Sequence, residues 1–149
     1  MYQSTKLFDG YSTVFRQWHA EDSHCKYLHG YSLEFKVTFK CTTLDHRNWV
    51  QDFGSFKDNG IKKRLSHYFD HTTCVAKDDP TLDWFRMIGQ KNIIQLREFD
   101  AVGCEKFAEF VFNLIDNVVK YESADRVRVH SVECIENKKN SALYFGDKK

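Results

Sequence analysis

Residues Ser32 to Cys41 read SLEFKVTFKC, and this stretch decides the fold. Leu33, Phe35, Val37 and Phe39 alternate with Glu34, Lys36 and Thr38. That period of two is the signature of a strand with one face on a core and one in water. Such a strand needs neighbours and a cover, and the flanking sequence supplies both. Upstream, Tyr11 to Trp18 predicts a first strand. Downstream, Trp49 to Phe53 (WVQDF) is a short apolar segment. From Gly54 to Phe69 the spacing of Phe56, Ile61, Leu65 and Tyr68 predicts a helix.

The middle of the chain is less regular. Asp78-Asp79-Pro80 is a turn signal. An amphipathic stretch follows around Leu82, Phe85, Met87 and Ile88, and Ile93, Ile94 and Leu96 suggest a short strand. Gly103 to Tyr121 carries the clearest helical stripe, through Phe107, Phe110, Val111, Leu114, Ile115 and Val118. Val127 to Glu136 and Ser141 to Phe145 then predict a hairpin joined by Asn137-Lys138-Lys139-Asn140. The expectation is an α+β fold, a four-stranded antiparallel sheet with two helices on one face. The exposed edges of such a sheet invite oligomerisation.

The chain has 149 residues, which suits one domain over residues 1–149. Hydrophobic residues are 42% of the chain and include 13 Phe, so the core is expected to be rich in rings. The formal charge is +1 with basic residues dispersed, which lacks the footprint of a nucleic-acid binder. No run approaches the roughly 18 apolar residues of a membrane span. The cysteines number five, an odd count without close spacing, and no apolar leader opens the chain. Reduced thiols and a cytoplasmic setting are expected.

Chemistry concentrates in Trp18 to Tyr31, WHAEDSHCKYLHGY, which gathers His19, His24, His29 and Cys25. Imidazole is a common metal ligand. A thiolate serves as nucleophile or base. The cluster reads either as a metal site with a thiol beside it or as a polar loop without a ligand.

Several separated motifs, taken in order, resemble the 6-pyruvoyl tetrahydropterin synthase and 6-carboxytetrahydropterin synthase family. They are the aromatic-rich first strand ending at His19, Cys25 four residues before His29-Gly30, and Trp49-Val50-Gln51-Asp52-Phe53. Phe69-Asp70-His71, Cys104-Glu105 opening a long helix, and Val132-Glu133-Cys134-Ile135-Glu136 complete the set. The resemblance covers roughly Lys6 to Phe145. It implies the tunnelling fold, with trimers closing their sheets into barrels and two trimers stacking into a hexamer. It also implies active sites between subunits and a zinc-dependent enzyme acting on 7,8-dihydroneopterin triphosphate.

Residue by residue, the resemblance makes His19 and His29 zinc ligands, Cys25 the catalytic thiol and Asp70 with His71 the proton-handling pair. It makes Glu136 the anchor of the pterin ring and Glu105 an acid near that ring. Glu133 competes for the anchor role and, three residues away on a strand, is expected on the opposite face. The family's third zinc ligand is replaced by Tyr31, in His29-Gly30-Tyr31. Three readings stay open: ligation by a Tyr31 phenolate, substitution by His24, or weak or absent metal. The resemblance implies a carbon–carbon lyase, 6-carboxytetrahydropterin synthase, releasing acetaldehyde and triphosphate on a route to 7-deazaguanine (queuosine-type) nucleosides. The alternatives are the pyruvoyl-forming synthase and a non-catalytic pterin-binding subunit without metal.

Overall fold

The computed structural model describes residues 1–146. Its centre is the pair of long strands β1 (Tyr2–Phe15) and β2 (His29–Cys41), which run antiparallel along almost their whole length. The alternation in β2 is realised as expected: Leu33, Phe35, Val37 and Phe39 are fully buried. β1 begins earlier than the sequence suggests, because its first half faces solvent and reads as polar. At Asp9-Gly10 the register shifts, and Gly10 takes φ +81°. The bulge lets both Phe8 and Tyr11 point into the core.

On one side β2 pairs with β5 (Arg128–Ile135), which pairs with β6 (Ser141–Phe145), all antiparallel. On the other side β1 pairs in parallel with β3 (Thr72–Ala76), which pairs in parallel with β4 (Leu96–Phe99). The sheet therefore has six strands in the order β4-β3-β1-β2-β5-β6, not four, and it is mixed rather than wholly antiparallel. β3 escapes the period-two reading for a physical reason. All five of its residues are buried, as in strands covered on both faces.

The described residues also hold four α-helices rather than two. The expected helix over Gly54–Phe69 is split into α1 (Ser55–Asp58) and α2 (Ile61–Phe69) by Gly60, at φ +84°. The amphipathic stretch forms α3 (Leu82–Gln90), and the long stripe forms α4 (Cys104–Glu122). Phe107, Val111, Ile115 and Val119 of α4 are fully buried. Phe69 and Phe99 stack 5.8 Å apart, and each meets the Phe107 ring edge-on at 5.2 Å. Rings at such offsets add about 0.5–1.5 kcal/mol per pair beyond burial. The aromatic layer fixes α4 against the sheet, so the first turn of α4 always faces the same strand ends. Cys41, Cys74 and Cys134 are buried in this core, and all five thiols are free. No helix among the described residues is long and apolar enough to cross a membrane.

Candidate active site

Beyond Phe15 the chain leaves the sheet, turns through Trp18 to Ser23, and makes a single 3-10 turn at His24–Lys26 before re-entering at His29. Ser23 opens that turn by accepting a hydrogen bond from the Cys25 backbone N at 3.1 Å. The Cys25 carbonyl accepts from the Gln17 backbone N at 2.8 Å. Both backbone faces of Cys25 are thus fixed while its side chain remains exposed. The Arg16 guanidinium braces the loop from below. It makes paired bonds to buried Asp79 at 2.8 and 2.9 Å and reaches the Lys26 carbonyl at 3.4 Å. Burial raises the Asp79 carboxyl, but bonds from Arg16 and Thr81 outweigh it and hold the group below its ordinary range.

A cavity of about 200 Å³ opens beside this loop, with Phe15, Gln17, Cys25, Tyr31, Gly103, Cys104, Glu105, Glu136, Asn140, Ser141 and Ala142 in its wall. The first turn of α4 forms one side and the β5–β6 hairpin another. Of the residues singled out from sequence, Cys25, Tyr31, Glu105 and Glu136 are brought together here. Glu133 is not in that wall; it accepts a bond from the Ser141 hydroxyl at 2.7 Å. Tyr31 stacks on Phe15 with centroids 4.1 Å apart. Its phenol is pushed well above the usual range by burial first, then by Glu136, Cys25 and Cys104. Tyr31 is therefore a neutral hydroxyl at physiological pH. Cys104, half-buried in the same wall, is lowered by its interaction with the Cys134 thiol, while Cys134 is raised by the same contact.

The remaining residues lie elsewhere. Asp70 ends α2 and lines a different cavity, with Lys62, Ser66 and residues 6–11. His71 follows at φ +55°; its backbone N donates to the Ser12 carbonyl at 2.6 Å. His71 Nδ1 stands 3.1 Å from Asp70 Oδ1, and its side chain is 79% exposed. The Asp-His pair thus exists, but one chain does not bring it to Cys25's cavity.

The histidines fit a three-imidazole zinc site poorly. His19 Nε2 lies 3.3 Å from Asp78 Oδ2, and its ring rests on Trp18 at 3.6 Å. Asp78 is held low first by the Trp18 indole bond, then by His19. His29 Nδ1 is 3.0 Å from the Tyr27 carbonyl, an arrangement that suits a ligand through Nε2. Tyr31 sets a phenol where a three-imidazole site has its third ring. His24 and His29 share an open cavity with Cys25 and Tyr27. Among the described residues no group of three or more His, Cys, Asp or Glu side chains could hold a metal ion.

Sequence reasoning named Cys104 only within the Cys104-Glu105 motif and gave Gln17 and Gly103 no role. Gly103 carried a readable signal as the residue before an acid-led helix. Gln17 carried none, since its partner lies 85 positions away.

Comparison with known proteins shows the family and the fold. The sequence profile described as 6-pyruvoyl tetrahydropterin synthase matches residues 8–147. An uncharacterized protein from Wolinella succinogenes shares the fold with TM-score 0.82 and 22% identity, over 98% of each chain. The 6-pyruvoyl tetrahydropterin synthase of Caenorhabditis elegans aligns at TM-score 0.64 and 18% identity, over 98% of this chain and 96% of its own. The Plasmodium vivax enzyme aligns at 0.64 and 13%, over 97% and 98%. No curated protein matches in sequence.

Proposed function

The chain belongs to the 6-pyruvoyl tetrahydropterin synthase family, and we propose that it is a lyase acting on a dihydropterin with a phosphorylated, hydroxylated side chain. The reading favoured is 6-carboxytetrahydropterin synthase, which converts 7,8-dihydroneopterin triphosphate and water to 6-carboxytetrahydropterin, acetaldehyde and triphosphate. The observation that carries the proposal is the single cavity shared by Cys25, Tyr31, Glu105 and Glu136.

Each wall has a task. The volume suits a small planar bicycle, being below the roughly 300–1,000 Å³ of drug-sized sites. Glu136 accepts two N–H bonds from the amino-pyrimidine edge, a charge-assisted bidentate contact. Glu105 lies beside the ring at the start of α4. Cys25, as thiolate, takes a proton from the side chain. Tyr31 presents a hydroxyl donor to a side-chain oxygen. The proton returned to carbon or oxygen comes from His71, oriented by Asp70. Since these two do not reach Cys25's cavity within one chain, a second copy supplies them, in the hexamer of two trimers that the family resemblance implies. Tyr31, a phenol, and His19, turned to Asp78, do not suit the zinc that this resemblance also implies.

The test is incubation of the purified protein with 7,8-dihydroneopterin triphosphate and identification of products. Acetaldehyde with 6-carboxytetrahydropterin is the expected outcome. A 6-pyruvoyl product with triphosphate but no acetaldehyde would assign the pyruvoyl reaction instead. Pterin binding without turnover would make the chain a binding subunit. A stable monomer in light scattering would defeat the shared site.

A further inference from the structure

We infer that Gln17 is a positioning residue whose side chain ties the Cys25 loop to the start of α4, and so sets where the thiol stands relative to Glu105 and Glu136. The inference rests on the proposed role of Cys25 and extends it to a residue with no chemistry of its own.

Gln17 makes two ties in opposite directions. Its backbone N donates to the Cys25 carbonyl at 2.8 Å. Its side-chain Nε2 donates to the Val102 carbonyl at 2.9 Å. Val102 and Gly103 are buried and lead directly into Cys104 and Glu105, the first two residues of α4. Gly103 shows independently that this junction is built around the amide. It sits at φ +121°, a conformation that side chains rarely adopt, and an added Cβ would collide with Gln17 Nε2. Gln17 also lines the cavity between the two elements it joins.

The other end of the loop is fixed separately. Arg16 holds Lys26 and Asp79, on the side of α3. Arg16 thus secures the loop to the body of the protein, whereas Gln17 secures it to the helix that carries an acid of the site. A carboxamide neither titrates nor attacks, so its contribution is geometric. Misplacing a reacting group by about 1 Å costs on the order of a hundredfold in rate.

The experiment compares Gln17→Met, which keeps length but loses the donor, and Gln17→Glu, which sets a carboxylate against the Val102 carbonyl. Four quantities are read: kcat with 7,8-dihydroneopterin triphosphate, pterin affinity by pterin fluorescence, melting temperature, and the iodoacetamide alkylation rate of the Cys25 peptide by mass spectrometry. The expected result is a kcat lower by about tenfold to a hundredfold, pterin affinity and melting temperature near wild type, and faster Cys25 alkylation as the loop loosens. Loss of pterin affinity in step with kcat/KM would make Gln17 a ligand contact and overturn the inference. Wild-type kcat and alkylation in both variants would overturn it as well. If the unaltered protein neither binds nor turns over pterin, the proposed function fails. Alkylation of Cys25 in the two variants then decides the positioning role alone.

Discussion

Two irregular segments leave the sheet beside β1, and they present their chemistry in opposite ways. The loop from Arg16 to Leu28 folds over a cavity walled by its own chain, and Cys25 stands at the rim of it. The corner between α2 and β3 turns outward and offers His71 to solvent. The corner is anchored on β1 through Ser12, whereas the loop is anchored through its own Arg16 and Gln17 to Asp79 and Val102. Both are held by hydrogen bonds, and in the loop Trp18 also packs against the core. The difference teaches that rigidity does not make a site complete. One segment meets Glu105 and Glu136 within the chain, and the other presents its imidazole to solvent.

The largest effect is expected at the loop. Cys25→Ala should reduce turnover to background while circular dichroism and melting stay unchanged, since the side chain is exposed and supports no packing. Turnover at the wild-type rate would transfer the base role to another wall of the cavity, with half-buried Cys104 the nearest thiol to examine.

At the corner, His71→Ala should lower kcat by roughly a hundredfold to ten-thousandfold, the range for a general acid or base. Co-expression with Cys25→Ala sharpens the comparison. If one chain's corner serves another chain's loop, mixed assemblies contain some intact sites and regain measurable activity. If each site is built from one chain, mixing two dead variants restores nothing.

The anchoring of the loop makes a prediction about stability. Asp79→Asn breaks the pair with Arg16 at a carboxylate that is only 2% exposed. Removing one partner of a buried pair costs about 3–5 kcal/mol. Because the folded-state pKa of Asp79 is depressed, its contribution is present above the unfolded value of roughly 3.9 and is lost as pH falls through the lower folded value. The gap in melting temperature between wild type and variant should therefore be widest near neutrality and close in acid. A gap that stayed constant down to the acid limit would assign the cost to packing rather than to charge.

How much of this was legible in sequence follows the same division. β2 and α4 were legible because each buries one face and shows the matching period. β3 was not, since TTCVA is buried throughout and lies between parallel neighbours. The first half of β1 was hidden by its solvent-facing side chains, and the break at Gly60 depends on a left-handed backbone that spacing alone does not show. In the site, Cys25, Tyr31, Glu105 and Glu136 were legible as motif positions and converge in the fold. Gln17 was not, because hydrogen bonds between distant parts of the chain leave no periodic trace. Asp70 and His71 were legible as a pair, but their separation from Cys25 is a property of the fold.

The smallest effect concerns the far wall of the cavity and tests the register of β5. Glu136→Gln exchanges one carboxylate oxygen for an amide donor that faces the pterin's own N–H groups. A lost charge-assisted bond is worth roughly 1.5–3 kcal/mol, so pterin affinity should weaken by about tenfold or more. Glu133→Gln is the control. Glu133 stands three residues away, outside that wall, and is occupied by the Ser141 hydroxyl. Its substitution should leave affinity near wild type, because the lost bond is local to the hairpin. Fluorescence titration of both variants decides the matter. A silent Glu136→Gln beside a damaging Glu133→Gln would place the pterin on the other face of the sheet, away from Cys25. The cavity that unites the loop, α4 and the hairpin would then not be where the ring binds.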